Sequence, residues 1–180
     1  MRRMFRRQIR KTLAQEVPPV LQEANFSFGK GDYGRAAELY ERIAQTADDR
    51  GGPRAPILHL QAGRSRVYAG QTALGMPSLQ RGLELFAQRG QLDKLQNAAS
   101  RVVSELKERG LTKEAAEIEA LLKGVAPSTP AITEPVPVKK PILPTHCPAC
   151  GAPLRPDEVE WLDEVTAECG YCGSPVREET

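Results

Sequence analysis

The residues best suited to chemistry are four cysteines in two close pairs, Cys147-Pro148-Ala149-Cys150-Gly151 and Cys169-Gly170-Tyr171-Cys172-Gly173, with 18 residues between the pairs. A gap of two residues lets a tight turn bring both thiolates to one metal ion at roughly 2.3 Å, and two such turns complete a tetrahedron. An all-sulfur set closes the coordination sphere, whereas a catalytic zinc keeps one position for water. The spacing therefore predicts a structural Zn2+ held by Cys147, Cys150, Cys169 and Cys172. His146 adjoins the first pair as an alternative ligand, but four thiolates suffice without it. Gly151 and Gly173 follow the pairs, where a residue able to take positive φ keeps backbone N–H groups available to the sulfurs.

No other segment offers comparable chemistry. Gly29-Lys30-Gly31-Asp32-Tyr33-Gly34 is glycine-rich but lacks the Gly-x4-Gly-Lys-Ser/Thr order of a phosphate loop, and it falls between helical patterns, so it reads as a turn. His59 sits in an apolar-periodic segment with no Cys, Asp or Ser placed to build a triad or a metal site, and reads as a packing or surface residue. No pair of carboxylates stands out as an acid–base couple. The expectation is a protein without enzymatic activity and without a catalytic residue.

Small strands must position the cysteines. Val159-Glu160-Trp161 and Val165-Thr166-Ala167 alternate apolar and polar residues around Leu162-Asp163-Glu164, as two short antiparallel strands do. So small a unit buries too little apolar surface to fold alone, so metal binding is expected to supply much of its folding free energy, with Trp161 as its main hydrophobic cover. The segment 145–176 resembles a zinc ribbon. Its knuckles also resemble those of rubredoxin, which implies iron as the alternative metal, although the intervening segment here is short and poor in aromatics. Zinc ribbons often touch nucleic acid. Residues 145–180, however, hold two Arg against eight Asp/Glu, a balance of −6, to which four thiolates around Zn2+ add about −2. Phosphates are repelled by such a surface.

The larger part of the 180-residue chain is helical in pattern. Ala, Leu, Gln, Glu and Arg dominate residues 18–123, aromatic content is only 5%, and apolar residues recur three and four apart, as in Leu92, Leu95, Ala99, Val102, Val103 and Leu106. Gly31, Gly70 and Gly110 mark turns at separations of 39 and 40 residues, predicting three helical hairpins. Gly31-Asp32-Tyr33, followed by Ala36, Tyr40 and Ile43, resembles the tetratricopeptide repeat: the glycine turns the chain, Tyr33 wedges between helices and Ala36 lets them approach. Gly63, Gly70, Gly75, Leu79 and Gly82, then Gly110, Ala115 and Leu122, continue the match in degenerate form. The fold expected is mainly α, stacked helical hairpins with a small C-terminal zinc-ribbon β module. The period exceeds the usual 34 residues, so helices or loops such as Asp48–Pro56 must be longer than in that family.

The resemblance implies a partner protein or peptide on the hairpin surface. Some tetratricopeptide domains clamp a C-terminal carboxylate with Lys, Asn and Arg. By that alignment Asn25 and Arg101 match, while Leu21, Gln61 and Asn97 stand where the pattern has Lys, Asn and Lys.

Residues 1–16 hold six Arg/Lys against one Glu, and Met1, Phe5, Ile9 and Leu13 recur every four residues with Met4 beside them. This predicts a cationic amphipathic helix that docks on the helical domain, lies on an anionic membrane surface, or binds nucleic acid. Six prolines between positions 125 and 144 predict an extended tether of about 50 Å that leaves the C-terminal module free to reorient. The expected organisation is thus 1–16 basic helix, 17–124 helical hairpins, 125–144 linker, 145–176 ribbon and 177–180 tail. No secretory signal or membrane span is apparent, and paired cysteines suit a reducing compartment, so the expected location is cytoplasmic or peripheral to a membrane. The function expected is a protein-interaction adaptor, with a nucleic-acid or ribosome-associated factor and a membrane-surface adaptor as alternatives.

Overall fold

The computed structural model describes residues 17–125, 142–155, 159–162 and 165–177. The basic segment 1–16, most of the proline-rich linker and the tail after Arg177 lie outside the described residues.

Six helices follow one another: α1 (Pro19–Gly29), α2 (Tyr33–Asp49), α3 (Ala55–Tyr68), α4 (Thr72–Gln88), α5 (Leu92–Glu108) and α6 (Thr112–Val125). Local chemistry marks the starts of the first two. Pro18 and Pro19 open α1, and the Asp32 carboxylate accepts from the Arg35 backbone N–H at the start of α2. The joining turns carry glycines of positive φ at Gly31, Gly51, Gly70, Gly90 and Gly110, one every 19 or 20 residues. Three of these are the predicted hairpin turns. Gly51 and Gly90 are the turns between hairpins. The long period comes mainly from helix length, since α2, α4 and α5 each have 17 residues.

Packing runs mainly between sequence neighbours, α1 on α2, α2 on α3, α3 on α4 and α5 on α6. The α3–α4 contact is the closest, because Gly63 and Gly75 face each other: a Cβ on Gly63 would lie 2.8 Å from the Gly75 carbonyl oxygen and 2.6 Å from Leu79 Cγ. Ion pairs tie both neighbouring and next-but-one helices together at their rims. Arg66 forks onto Glu41, Arg81 onto Asp48, and Arg64 reaches from α3 to Glu105 on α5. At the α1–α2 turn Tyr33 packs against Phe28 and Tyr68 with ring centroids 5.2 and 5.1 Å away, the wedge expected of it, and Arg109 stacks on Tyr68.

The C-terminal module has three strands, β1 (Glu160–Trp161), β2 (Thr166–Glu168) and β3 (Pro175–Arg177), antiparallel in that order. The first two lie where the alternation placed them. The third, after the second knuckle, was not anticipated; Trp161, Ala167 and Val176 stand in register across the sheet. Trp161 is only partly buried, and the module's buried apolar residues are Leu143, Ala152, Leu154, Ala167, Tyr171 and Val176, so the tryptophan is not its main cover.

The module is seated on the helices and shares one apolar core with Leu21, Ala24, Ala36, Tyr40, Leu58 and Ala62. The freedom expected from the linker is therefore corrected. A sheet of strands two and three residues long cannot cover its own apolar side chains, and burial against α1–α3 supplies the missing face. A second core, centred on Leu79, Leu83, Leu95, Val102, Leu106 and Ile118, holds the remaining helices.

Candidate metal centre

Both cysteine pairs sit in the same backbone turn. In the first, Gly151 N–H donates to the Cys147 carbonyl at 2.8 Å and Cys147 N–H donates to the Ala152 carbonyl at 2.8 Å. In the second, Gly173 N–H donates to the Cys169 carbonyl at 2.7 Å and Cys169 N–H to the Ser174 carbonyl at 3.0 Å. Gly151 and Gly173 both have φ of +72°, the left-handed conformation that closes each turn. At Gly173 a side chain would also collide with the Arg54 guanidinium, which lies over the knuckle.

The turns bring Cys147, Cys150, Cys169 and Cys172, all buried, to a single point, with sulfurs all within 4.8 Å of one another. Two of the separations are Cys147 to Cys172, 3.7 Å, and Cys150 to Cys169, 3.9 Å. Ligands at roughly 2.3 Å from a tetrahedral ion stand about 3.8 Å apart. The donor set and spacing thus fit a metal ion, and zinc is consistent with both. The sulfurs are much too far apart for disulfides, and all four thiols are free.

Electrostatics show what an ion does for this cluster. Hydrogen bonds from neighbouring thiols, Cys150 first, hold the Cys147 pKa down at about 6, and the same kind of bond, from Cys147 first, pulls Cys172 well below the usual thiol range. Cys150 and Cys169, hydrogen-bonded first to Cys147, are pushed far up. A divalent ion at this point would favour the deprotonated form of all four sulfurs and let each act as a ligand. Backbone N–H groups of Cys150, Ala152 and Cys172 and the Ser174 hydroxyl also stabilise the sulfur charges.

His146 is not brought into the cluster. It is exposed, its Nδ1 lies 3.1 Å from the Thr145 hydroxyl, and its backbone forms a bridge with Pro153. His59 is a buried packing residue on α3: its Nε2 lies 3.3 Å from an Asp48 carboxylate oxygen without a hydrogen bond of good geometry, and Arg81 holds that carboxylate from the other side.

The residues aligned with a peptide-carboxylate clamp meet the chain itself. Asn25 Nδ2 donates to the Cys150 carbonyl at 2.7 Å, Gln61 donates to the Tyr171 hydroxyl, and Leu21 belongs to the shared core. Asn97 and Arg101 line a cleft of about 430 Å3 between α3, α5 and the module. The charged residues around this cleft are Arg54, Arg64, Lys94, Arg101 and Arg155 against Glu168.

No family model, no curated protein and no solved structure matches the chain. Among the described residues no helix is long and apolar enough to cross a membrane.

Proposed function

We propose that this chain is a non-enzymatic protein-interaction adaptor: hairpins of tetratricopeptide-repeat type carry the binding surface, and a zinc ribbon serves as a structural element. A cytoplasmic setting suits four thiols that must stay reduced to hold zinc. The surface assigned to the partner is the cleft between α3, α5 and the module, and the partner is an acidic polypeptide segment. The observation that carries the reading is the lining of that cleft, where Arg54, Lys94, Arg101 and Arg155 stand with Glu168, and Arg64 is paired with Glu105, around a concavity large enough for several side chains. The order of helix contacts, each helix packed mainly on its sequence neighbours, supports an extended array with an inner face.

A labelled peptide rich in Asp and Glu, measured by fluorescence anisotropy against the full-length protein, tests the reading. Binding is expected at low salt, weaker at physiological salt, and lowered at least tenfold by the double change Lys94→Glu and Arg101→Glu. Binding that ignores both changes places the site elsewhere, and a lack of binding to any acidic peptide removes the reading.

A further inference from the structure

The metal knuckles contact the helical face of α1–α3 through two main-chain carbonyls and one side-chain hydroxyl, all placed by the closed turns. Asn25 Nδ2 donates to the carbonyl of Cys150, and Gln22 Nε2 donates to the carbonyl of Ala149 at 3.1 Å. Both acceptors lie inside the Cys147–Cys150 turn. Gln61 meets Tyr171 in the corresponding position of the second turn. On the helical side these groups are prepared: Asn25 is 4% exposed, Gln61 6%, and the Tyr40 hydroxyl donates to Asn25 Oδ1 and fixes its amide.

The seated module supplies what covers this face. Its own apolar residues, Leu154, Tyr171 and Val176 among them, share one core with Leu21, Ala24, Tyr40 and Leu58 on the helices. An ion that closes the turns also delivers the acceptors and the apolar cover, and two equilibria sharing one structure must favour each other by the same factor.

We propose that metal binding at the four cysteines and seating of the module on α1–α3 are one linked event, so that the metal governs whether the module covers the face around Asn25 and Gln61. Gln61 and Tyr171 also line the basic cleft, which the seated module walls on one side, but the zinc-affinity test requires no occupant there.

Zinc affinity of the full-length protein, measured by competition with a chromophoric chelator, tests the linkage at residues that do not touch the metal. Asn25→Ala and Gln61→Ala are each expected to weaken zinc binding about tenfold, the effect typical of a lost outer-shell partner. The exposed Gln22→Ala is expected to weaken it about threefold, and stands as the test if either buried change unfolds the chain. Unchanged affinity in the folded variants overturns the proposal. In the wild type, stripping zinc is expected to shift the NMR signals of the Asn25 and Gln61 amides and the Leu21 and Leu58 methyls, while Ala115 and Ile118 on α6 keep theirs. Signals on α1–α3 that do not move, or an α6 that melts with the module, likewise overturn it.

Discussion

Tyr40 and Asn25 form a buried pair in which the phenol hydroxyl donates to the amide oxygen and the amide nitrogen donates onward to the Cys150 carbonyl. Tyr40 is 1% exposed, and burial, the first cause, together with the neighbouring Tyr171 and Cys150, pushes its ionisation far above the ordinary range, so it stays a donor at every physiological pH. Tyr40→Phe keeps the ring and strands Asn25 Oδ1. A loss of about 1–3 kcal/mol is expected in urea unfolding of the zinc-loaded protein, the cost of one unpaired buried acceptor.

The closest helix contact gives a second expectation. Gly63→Ala forces a methyl group against the Gly75 carbonyl and Leu79, two parts of α4 that cannot both retreat. Overpacking of this kind costs about 1–3 kcal/mol despite alanine's better helix propensity, and the melting temperature should fall accordingly. Alanine at Gly34, where no atom lies within 4 Å of the added carbon, serves as the control and should leave the melting temperature the same or higher.

His59 sets a pH dependence. Burial, outweighing the attraction of Asp48, holds its pKa below the usual 6.5, so the folded protein keeps the ring neutral while the unfolded chain takes up a proton. Stability is therefore full above about pH 6.5 and declines as pH falls from there toward the lowered folded-state value. Asp48, held below its usual carboxylate range first by its hydrogen bond to Arg81, contributes stability that is lost only at lower pH, below its ordinary 3.8. Urea midpoints of wild type and His59→Gln between pH 5 and 8 check the assignment: the wild type should weaken toward pH 5, and the variant should be flatter.

The basic start of the chain separates membrane from nucleic acid by two substitutions. Insertion into an anionic bilayer needs apolar burial as well as charge, so Phe5→Ala and Arg6→Glu should each reduce co-sedimentation with anionic vesicles. Binding to phosphates should respond to Arg6→Glu and be nearly indifferent to Phe5→Ala in a gel shift. If neither surface binds, and removal of residues 1–13 lowers the melting temperature, the segment belongs to the fold.

Local chemistry was legible where a residue's role depends on its near neighbours in sequence. The stripe Leu95, Ala99, Val102, Val103 and Leu106 is buried as its spacing predicts, with Leu92 at its end 40% exposed. The cysteine spacing located the four-sulfur cluster because the turn that aims both thiols spans only four residues. What stayed hidden depends on distant segments. Asn25 lies 125 residues from Cys150, and nothing around an asparagine in a helix tells it from a surface one. Tyr171 fills a non-ligand place in its knuckle, yet it is buried where Trp161 is not, because it faces α3. Proline density in the linker says how the tether behaves, not whether what it carries finds a seat.

Zinc K-edge X-ray absorption on the full-length protein tests the four-thiolate site most directly. One zinc per chain is predicted, with four sulfur neighbours at about 2.3 Å and no lighter atom in the first shell. A nitrogen or oxygen ligand, iron in place of zinc, or a metal-free protein with the same folded module contradicts it.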